Sequence, residues 1–320
     1  ILSGLVGSEM CIRDRTWGLD ELRAAVQEYY TEKFGVTPQN VMITSGVSGA
    51  LFLVLLATIN PGDEVIFADP FFVMYRHLVN LLGGVPVAVD TFPDFKLTPA
   101  AVEKAITRKT KLLIVNSPSN PTGVTLSKGE LQALADVGKK HNLLVVTDEI
   151  YEALLYDDQP STMVGMYENV VLLNGLSKST GMTGWRLGYA AGPEAVIQAM
   201  NTLQQYTFVC APSFAQRAAI VALKEDLRPK IEAYRRKRDI IYEGLRGHFN
   251  VTKPGGAFYI FPEAPNGDGD AFVQTAIDNN LLIIPGSVFS SRKSHFRISF
   301  AAKDETLHRG IEVLKRLAGQ

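Results

Sequence analysis

Short apolar segments alternate with helical segments along most of this chain, and this alternation restricts the fold more than any other feature. Most of the apolar segments are continuous runs, as expected for strands that are covered on both faces. They are Val41–Ser45, Glu64–Asp69, Val85–Val89, Lys111–Asn116, Leu143–Asp148, Val170–Asn174 and Leu187–Ala191. The helical patterns are Leu19–Phe34, Ser48–Ile59, Tyr75–Leu82, Pro99–Ala105 and Lys128–His141. This order predicts an α/β fold with a mainly parallel, seven-stranded sheet flanked by helices.

The pattern changes after about Asp226. A charged helix is predicted over Ile231–Arg246, and a closing helix near the C-terminus has leucine and isoleucine at helical spacing. Short strands are predicted between these helices at Gly256–Phe261, Leu281–Ile284 and His295–Phe300. We therefore interpret residues 16–225 as a large ligand-binding domain and residues 226–320 as a smaller α+β domain.

Composition and charge exclude several classes of protein. The formal net charge of -1 implies no general attraction to nucleic acid or to an anionic membrane. The basic cluster Arg235–Arg238 could suggest nucleic-acid binding, but we interpret it as a solvated helix face. The longest apolar run, Leu51–Ile59, is too short to span a membrane. Cys11 and Cys210 cannot form a disulfide framework and suggest no metal site, so a reducing, cytoplasmic compartment is expected.

The first residues differ from the rest of the chain. Residues 1–15 have no amphipathic period and lack the basic start of a secretory signal. We interpret them as a non-native segment that does not contribute to the fold. The alternative is an ordinary flexible terminus.

Polar side chains follow several of the predicted strands, at the point where each strand ends. Ligands of open parallel sheets bind outside the carboxyl ends of the strands, so these side chains are expected to share one edge. The segments are Ser45–Gly49, Asp69–Phe72, Asn116–Gly123, Asp148–Tyr151 and Ser177–Lys178, followed by Arg186. The sequence thus predicts a binding site at this edge of the sheet.

One end of this predicted site is suited to a phosphate. The Ser45–Gly49 turn places backbone N–H groups, including that of Val47, and the hydroxyl of Ser48 at a helix N-terminus. Arg186 can add a two-pronged contact to the same phosphate. Each feature has an ordinary alternative, since such a turn is often only a helix cap and an isolated arginine often forms a surface ion pair.

The remaining groups suit the ring of pyridoxal phosphate. Asp148 can keep the pyridine nitrogen protonated, so that the ring acts as an electron sink, although a helix N-cap is its alternative role. Tyr151 and Asn120 can form hydrogen bonds with the phenolic oxygen of the ring. Phe72 can stack on the ring face, or can simply pack in the core.

Lys178 and Arg297 supply the two remaining functions. A desolvated lysine beside cationic groups loses its proton more easily and becomes a nucleophile and a base. In the predicted strand around Arg297, Phe296 and Ile298 alternate with it, so Arg297 points the other way and can bind a substrate α-carboxylate. Without these neighbours, Lys178 would be a surface lysine and Arg297 an exposed strand arginine.

Several segments resemble one known family. Gly175–Gly188 resembles the lysine-site signature of the class I/II pyridoxal-phosphate-dependent aminotransferases. Asn116–Gly123 resembles their Asn-Pro-x-Asn-Pro-Thr-Gly loop, and Asp148–Tyr151 their Asp-x-x-Tyr motif. Pro61–Val65 and Pro254–Tyr259 are similar to segments of the aspartate-aminotransferase-like group. The resemblance runs from about Thr16 to the C-terminus.

The resemblance implies fold type I, pyridoxal 5'-phosphate as cofactor and a homodimer with active sites at the subunit interface. Lys178 would bind the cofactor covalently, and Lys178, Asp148 and Tyr151 would be catalytic. The implied cofactor-binding residues are Lys178, Val47, Ser48, Phe72, Asn120, Asp148, Tyr151, Ser177 and Arg186. Asn120 and Arg297 would contact the substrate, which is a small-molecule amino acid or 2-oxo acid.

The sequence departs from the family pattern at three positions. Val47 stands where relatives often have glycine, which leaves a backbone N–H contact possible. Gly175 stands where some relatives have a phosphate-binding serine, so one hydroxyl contact is expected to be absent. Gly18–Arg23 matches the family's Gly-x-x-x-Leu-Arg, but Arg13 stands where relatives carry a tyrosine that reaches the partner's phosphate. The family's N-terminal arm is also expected to be missing.

Three hypotheses for function follow. The leading one is an aminotransferase that passes an amino group from an amino acid to a 2-oxo acid, with 2-oxoglutarate as the expected acceptor. The second keeps the cofactor but makes the protein a β-lyase or a cyclopropane-forming synthase. The third is an aminotransferase-like ligand-sensing domain of a transcription regulator.

Overall fold

The structure is a computed structural model of the chain and describes residues 16–319. The interpretation of residues 1–15 and the departure at Arg13 lie outside the described residues. None of the helices within residues 16–319 is both long enough and apolar enough to cross a membrane.

Seven strands form one sheet with the order β1-β7-β6-β5-β4-β2-β3. They are β1 (Met42–Thr44), β2 (Glu64–Asp69), β3 (Val85–Asp90), β4 (Thr110–Asn116), β5 (Leu144–Asp148), β6 (Val170–Gly175) and β7 (Gly188–Ala191). Strand β7 runs antiparallel to its neighbours β1 and β6, and the other neighbouring strands are parallel. The predicted mainly parallel α/β sheet is therefore confirmed.

Helices precede, connect and follow these strands. They are α1 (Asp20–Phe34), α2 (Gly46–Thr58), α3 (Met74–Leu81), α4 (Pro99–Ala105), α5 (Lys128–Lys140), α6 (Leu176–Ser179), α7 (Glu194–Tyr206) and α8 (Ser213–Ala222). The last three were not predicted from the sequence. In α8, Phe214 and Val221 are exposed, so its apolar residues do not form a single stripe and the helical period is weak.

Helices cover both faces of the sheet, which explains the continuous apolar runs. In β5, Val146 packs in the cluster that contains Leu51 and other residues of α2. Val145, one residue earlier, packs in the opposite cluster with Leu131 and Leu134 of α5. Fully burying one such side chain stabilises the fold by about 2 kcal/mol. The alternation of faces along β5 also decides the directions of the side chains that follow it.

A second sheet is formed by β8 (Tyr259–Ile260), β9 (Ile284–Pro285) and β10 (Phe296–Ser299), in the antiparallel order β8-β10-β9. It packs with α9 (Arg228–Leu245), α10 (Gly269–Asp278) and α11 (Asp304–Ala318) around its own apolar cluster. The closing helix buries the residues that its spacing indicated, Leu307, Ile311, Leu314 and Leu317. The division into domains at residue 226 stays a prediction.

The interpretation of the basic cluster Arg235–Arg238 as a solvated helix face was wrong for Arg238, whereas the side chain of Arg236 is exposed. Arg238 is only 1% exposed, and its Nη1 donates to Asp157 Oδ2 at 2.7 Å. Arg236 forms an ion pair with Asp304 of α11. Both ion pairs hold α9 against neighbouring segments. The buried guanidinium of Arg238 requires its carboxylate partner, which offsets the cost of its desolvation.

Candidate active site

A cavity of about 460 Å³ lies at the carboxyl ends of the strands of the large sheet, and the small sheet supplies part of its wall. Every site residue predicted from the sequence lines it. These residues are Val47, Ser48, Phe72, Asn120, Asp148, Tyr151, Ser177, Lys178, Arg186 and Arg297. The wall also contains residues to which the sequence assigned no role, Val73, Asn116, Ile150, Thr183, Tyr259, Ile284, Val288 and Phe289.

At one end of the cavity, the guanidinium of Arg186 lies over the start of α2. A Cβ added to Gly46 would stand 2.8 Å from Arg186 Nη2, so a residue with a side chain there would displace the arginine. Arg186 donates to the carbonyl of Thr183 at 3.2 Å, and among residues 16–319 it has no carboxylate partner. A cation next to the N-terminus of a 13-residue helix attracts an anion.

The first turn of α2 is not capped by a side chain. Ser45 occupies the N-cap position and makes no side-chain hydrogen bond there. The first amide groups of a helix have no partner within the helix, so they remain available for a ligand. Val47 and Ser48 lie on this turn and line the cavity. The turn is therefore free to hold an anion, and the alternative role of an ordinary side-chain cap does not apply.

The departure at Gly175 has a steric cause. A Cβ at this position would lie 2.8 Å from the carbonyl oxygen of Leu187 and 2.9 Å from Cα of Gly188. The backbones of β6 and β7 approach too closely there for a serine, unless one of them shifts.

Asp148 is buried at the end of β5 and keeps capacity for another partner. Its Oδ2 accepts a hydrogen bond from the hydroxyl of Tyr75 at 2.7 Å, and its Oδ1 accepts one from the backbone N–H of Ile150 at 3.3 Å. The next helix or strand along the chain is β6, so Asp148 is not a helix N-cap. Burial raises the pKa of Asp148 to about 6, and the two hydrogen bonds oppose this rise. A cation in the cavity would favour its ionised form.

Arg297 is held between two aromatic rings. Its guanidinium carbon lies 4.5 Å from the ring centroid of Tyr259 and 4.3 Å from that of Phe289. Its Nη1 donates to Oδ1 of Asn120 at 2.9 Å, whereas its Nε is buried without a partner. Leaving such a donor unpaired costs about 1–3 kcal/mol, so a carboxylate that accepts from Arg297 would bind favourably.

The loop that carries Asn120 is tied to β5. The backbone N–H of Asn120 donates to Oδ1 of Asn116 at 3.0 Å, and Nδ2 of Asn116 donates to the carbonyl of Asp148 at 2.9 Å. The amide of Asn120 is thereby placed between the large sheet and Arg297. Asn116 is the first residue of the Asn116–Gly123 loop motif, but the role of its side chain depends on its contact with β5.

Two buried phenols meet on another wall of the cavity. The hydroxyl of Tyr151 donates to that of Tyr259 at 3.1 Å, and the rings contact each other edge to face. Burial raises the pKa of Tyr151 well above its ordinary value, so this phenol stays protonated, and its single O–H would have to turn from Tyr259 to donate to a ligand.

Lys178 follows β6 on the short helix α6. Its Nζ lies 5.7 Å from the ring centroid of Phe258, and the side chain is half-buried. Burial lowers the pKa of Lys178, and the neighbouring charges of Arg186 and Arg297 lower it further. A larger share of the amine is therefore neutral, which is the form that acts as a nucleophile or a base.

Comparison with known proteins gives the same family throughout. The family model described as aminotransferase class I and II matches residues 14–314. The chain is 38% identical to the aspartate/prephenate aminotransferase of Thermus thermophilus, over 95% of this chain and 82% of that protein. It is 37% identical to an aspartate aminotransferase of Bacillus subtilis, over 93% and 81% respectively.

Solved structures agree with these relatives. The aromatic aminotransferase from Pyrococcus horikoshii superimposes with a TM-score of 0.91 at 34% identity, covering 95% of this chain and 87% of that one.

Proposed function

Because this chain belongs to the class I and II aminotransferases, we propose that its cavity transfers the amino group of an amino acid to a 2-oxo acid, with 2-oxoglutarate as the acceptor. Aminotransferases of the aspartate aminotransferase type use pyridoxal phosphate. Of the relatives, some are named for aspartate or for aspartate and prephenate, and one solved structure is named for aromatic substrates.

The residues of the cavity fit pyridoxal phosphate. Arg186, without a carboxylate partner in the described chain, and the uncapped start of α2 suit its phosphate. The buried carboxyl of Asp148 suits its ring nitrogen, because a positive charge there would offset the cost of burying the carboxylate. Lys178 is the amine that would hold it covalently. The other residues that would hold it are Val47, Ser48, Phe72, Asn120, Tyr151 and Ser177.

When bound, the cofactor supplies an electron sink for the bond that breaks at the substrate Cα. Lys178 then acts as the base that takes the Cα proton, because its lowered pKa increases the share of the amine that is neutral. In the loaded site, the O–H of Tyr151 would turn from Tyr259 to the ligand and donate a hydrogen bond that orients the reacting groups.

Arg297 and Asn120 orient the substrate. The two rings that flank Arg297 hold its guanidinium in one plane, so a two-pronged contact with an α-carboxylate needs little further ordering. The Asn120 amide, already bonded to Nη1, is placed to contact the same carboxylate. The scissile Cα–H bond then has a defined position relative to Lys178.

The observation that carries the proposal is that Lys178, Asp148, Arg186 and Arg297 line one cavity although they come from three separate segments. Purified protein mixed with pyridoxal phosphate is expected to show the absorption band of the lysine-bound cofactor. Lys178→Ala should abolish this band, whereas Lys128→Ala, at an exposed lysine on α5, should leave it unchanged.

A donor panel that includes aspartate and phenylalanine, with 2-oxoglutarate as acceptor, then tests the reaction. Glutamate that appears in proportion to the oxo acid formed from the donor supports the proposal. Ammonia and pyruvate released without an acceptor would instead support a β-lyase, and a missing absorption band would overturn both.

We also propose a homodimer. Large apolar side chains are exposed at Tyr206, Phe214 and Trp185, with 82%, 69% and 43% exposure, and Trp185 immediately precedes Arg186. Trp185 and Phe214 contact each other, with ring centroids 5.9 Å apart. Apolar surface of this kind is typical of a protein interface. Sedimentation analysis should give twice the mass of the chain, and Phe214→Glu should shift the population toward monomers.

A further inference from the structure

Glu149 is a buried carboxyl group that the proposed chemistry does not use. It follows Asp148 at the end of β5, yet it does not line the cavity and is only 2% exposed. Successive side chains of a strand point to opposite faces, so Glu149 lies behind the sheet while Asp148 faces the cavity. Its backbone N–H donates to the carbonyl of Leu173 at 2.9 Å and so extends the pairing of β5 with β6.

One oxygen of Glu149 is anchored to its own strand and to the segment that follows. Its Oε1 accepts hydrogen bonds from the hydroxyl of Thr147 at 3.1 Å and from that of Thr162 at 2.9 Å. It also accepts one from the backbone N–H of Met163 at 3.1 Å. Three donors to one oxygen give the carboxyl group a single orientation.

The other oxygen of Glu149, Oε2, begins a series of hydrogen bonds that ends next to the helix of Lys178. The hydroxyl of Tyr30, on α1, donates to Oε2 of Glu149 at 3.3 Å and accepts from Nδ2 of Asn174 at 2.9 Å. Oδ1 of Asn174 accepts from the backbone N–H of Gly175 at 2.6 Å. A continuous hydrogen-bonded chain therefore joins Glu149 to the residue that immediately precedes α6, the helix of Lys178.

The helix α6 needs such an anchor. It has only 4 residues, which is far too short for a helix to be stable by itself. Its position is set by Gly175, because β7 packs directly against that residue and leaves no room for a side chain. A misplacement of about 1 Å at a reacting group can slow a reaction about 100-fold, so the anchoring of α6 affects the chemistry of Lys178.

We propose that Glu149 is a positioning residue, whose carboxylate acts through Tyr30 and Asn174 to hold the Lys178 segment at a fixed separation from Asp148. The proposal rests on the functions proposed above for Lys178 and Asp148. Glu149 touches neither cofactor nor substrate, and its effect is on where Lys178 lies.

The electrostatics behind the sheet make this anchor sensitive to pH. Burial raises the pKa of Glu149 to about 7, and the nearby Glu152 raises it too, whereas the hydrogen bonds from Met163, Thr162 and Thr147 oppose the rise. The other ionisable groups that face this region are Tyr30 on α1, Tyr189 on β7, and the group of Tyr29, Lys33 and Glu152.

Ionised Glu149 can only accept hydrogen bonds, so the hydroxyl of Tyr30 is the donor between them. Protonated Glu149 would instead present a donor to the hydroxyl of Tyr30. The hydrogen-bonded chain should therefore hold the Lys178 segment better above about pH 7, where Glu149 is ionised.

Hydrogen exchange measured by mass spectrometry on the cofactor-free protein tests the proposal directly. In Glu149→Gln, the amides of residues 175–180 should exchange at least about tenfold faster than in the wild type at pH 8. At pH 6 the ratio should fall toward one, because wild-type Glu149 is then mostly protonated. Glu152→Gln is the matched control, since Glu152 accepts hydrogen bonds from Tyr29 and Lys33 but takes no part in the hydrogen-bonded chain through Tyr30 and Asn174.

Equal exchange in Glu149→Gln and wild type at pH 8, or the same acceleration in Glu152→Gln, overturns the proposal. If Glu149→Gln does not fold, Tyr30→Phe takes its place, because it removes only the hydroxyl that links Glu149 to Asn174. With cofactor added, Glu149→Gln should lower kcat and leave KM unchanged. Because exchange is measured without cofactor, its outcome does not depend on whether Lys178 binds pyridoxal phosphate.

Discussion

The two carboxyl groups at the end of β5 are adjacent in sequence but belong to opposite sides of the sheet. Asp148 faces the cavity and accepts two hydrogen bonds, from Tyr75 and from the backbone of Ile150. Glu149 faces away and accepts four, from three side chains and one backbone amide. Burial raises the pKa of both, to about 6 and about 7.

The comparison shows that burial does not distinguish the two carboxyls, whereas the number of their partners does. A carboxylate has room for about four hydrogen bonds. Asp148 therefore keeps capacity for a ligand, while Glu149 is saturated by the protein. The cavity side of the sheet should accordingly govern chemistry, and the opposite side should govern order and stability.

The largest expected effect comes from Asp148→Asn, which keeps the shape of the side chain and removes its charge. The loss of a charge aimed at the reacting centre should lower kcat by about 10²–10³-fold. Melting temperature should stay unchanged or rise, because a buried charge has been removed. Steady-state kinetics together with thermal melts check this. A large loss of stability in Asp148→Asn would break the division between the two sides.

The next effect concerns stability on the opposite side. The pKa of Glu149 is raised from 4.5 in an unfolded chain to about 7, so the folded protein holds its proton more tightly. The free energy of unfolding should therefore fall as pH rises from about 4.5 to about 7, by about 3 kcal/mol, and change no further from this group above pH 7. Denaturant titrations of wild type and Glu149→Gln check this, since the variant should lose this part of the pH dependence.

A smaller effect is expected at two arginines, the half-buried Arg297 and the buried Arg238. Arg297→Lys loses the planar two-pronged contact and should raise KM about 10–100-fold for the amino donor, because such a contact contributes about 1.5–3 kcal/mol. Arg238→Lys lies away from the cavity at the Asp157 ion pair, and it should lower stability without changing KM. An equal rise of KM in both variants would contradict the assignment of Arg297.

The smallest effect is expected from Tyr75→Phe. The hydroxyl of Tyr75 lowers the pKa of Asp148 by donating to Oδ2. The affinity for cofactor should fall below about pH 6 in the wild type, and the midpoint should move up by about one pH unit in Tyr75→Phe. Fluorescence titration with cofactor across pH measures this, and Asp148→Asn, which lacks the ionisable group, serves as the control without such a midpoint.

Much of the site follows from local patterns. A residue that follows a parallel strand lies at the carboxyl edge of the sheet wherever the strand is placed, so Lys178, Asp148 and Asn120 could be predicted to meet. The buried Phe296 and Ile298 put Arg297 on the opposite face of β10, where it lines the cavity. The functional roles of these residues stay predictions until they are tested.

Other features depend on contacts that no local pattern encodes. Tyr75 reaches Asp148 across 73 residues of sequence, and Tyr30 reaches Glu149 across 119. The rings on either side of Arg297 come from β8 and from the segment after β9. None of these contacts follows from a hydrophobic period or a motif, because each depends on how separate elements pack.

The sequence by itself determined the alternation of the seven strands with five of the helices, the edge of the sheet that holds the site and the face to which Arg297 points. The alternation of side chains at the end of β5 places Asp148 and Glu149 on opposite sides of the sheet. Only the tertiary structure decided that Asp148 keeps free capacity and that Glu149 is saturated. The physical reason is that direction follows from the local backbone, whereas desolvation and hydrogen bonding depend on which distant groups are packed around each carboxyl.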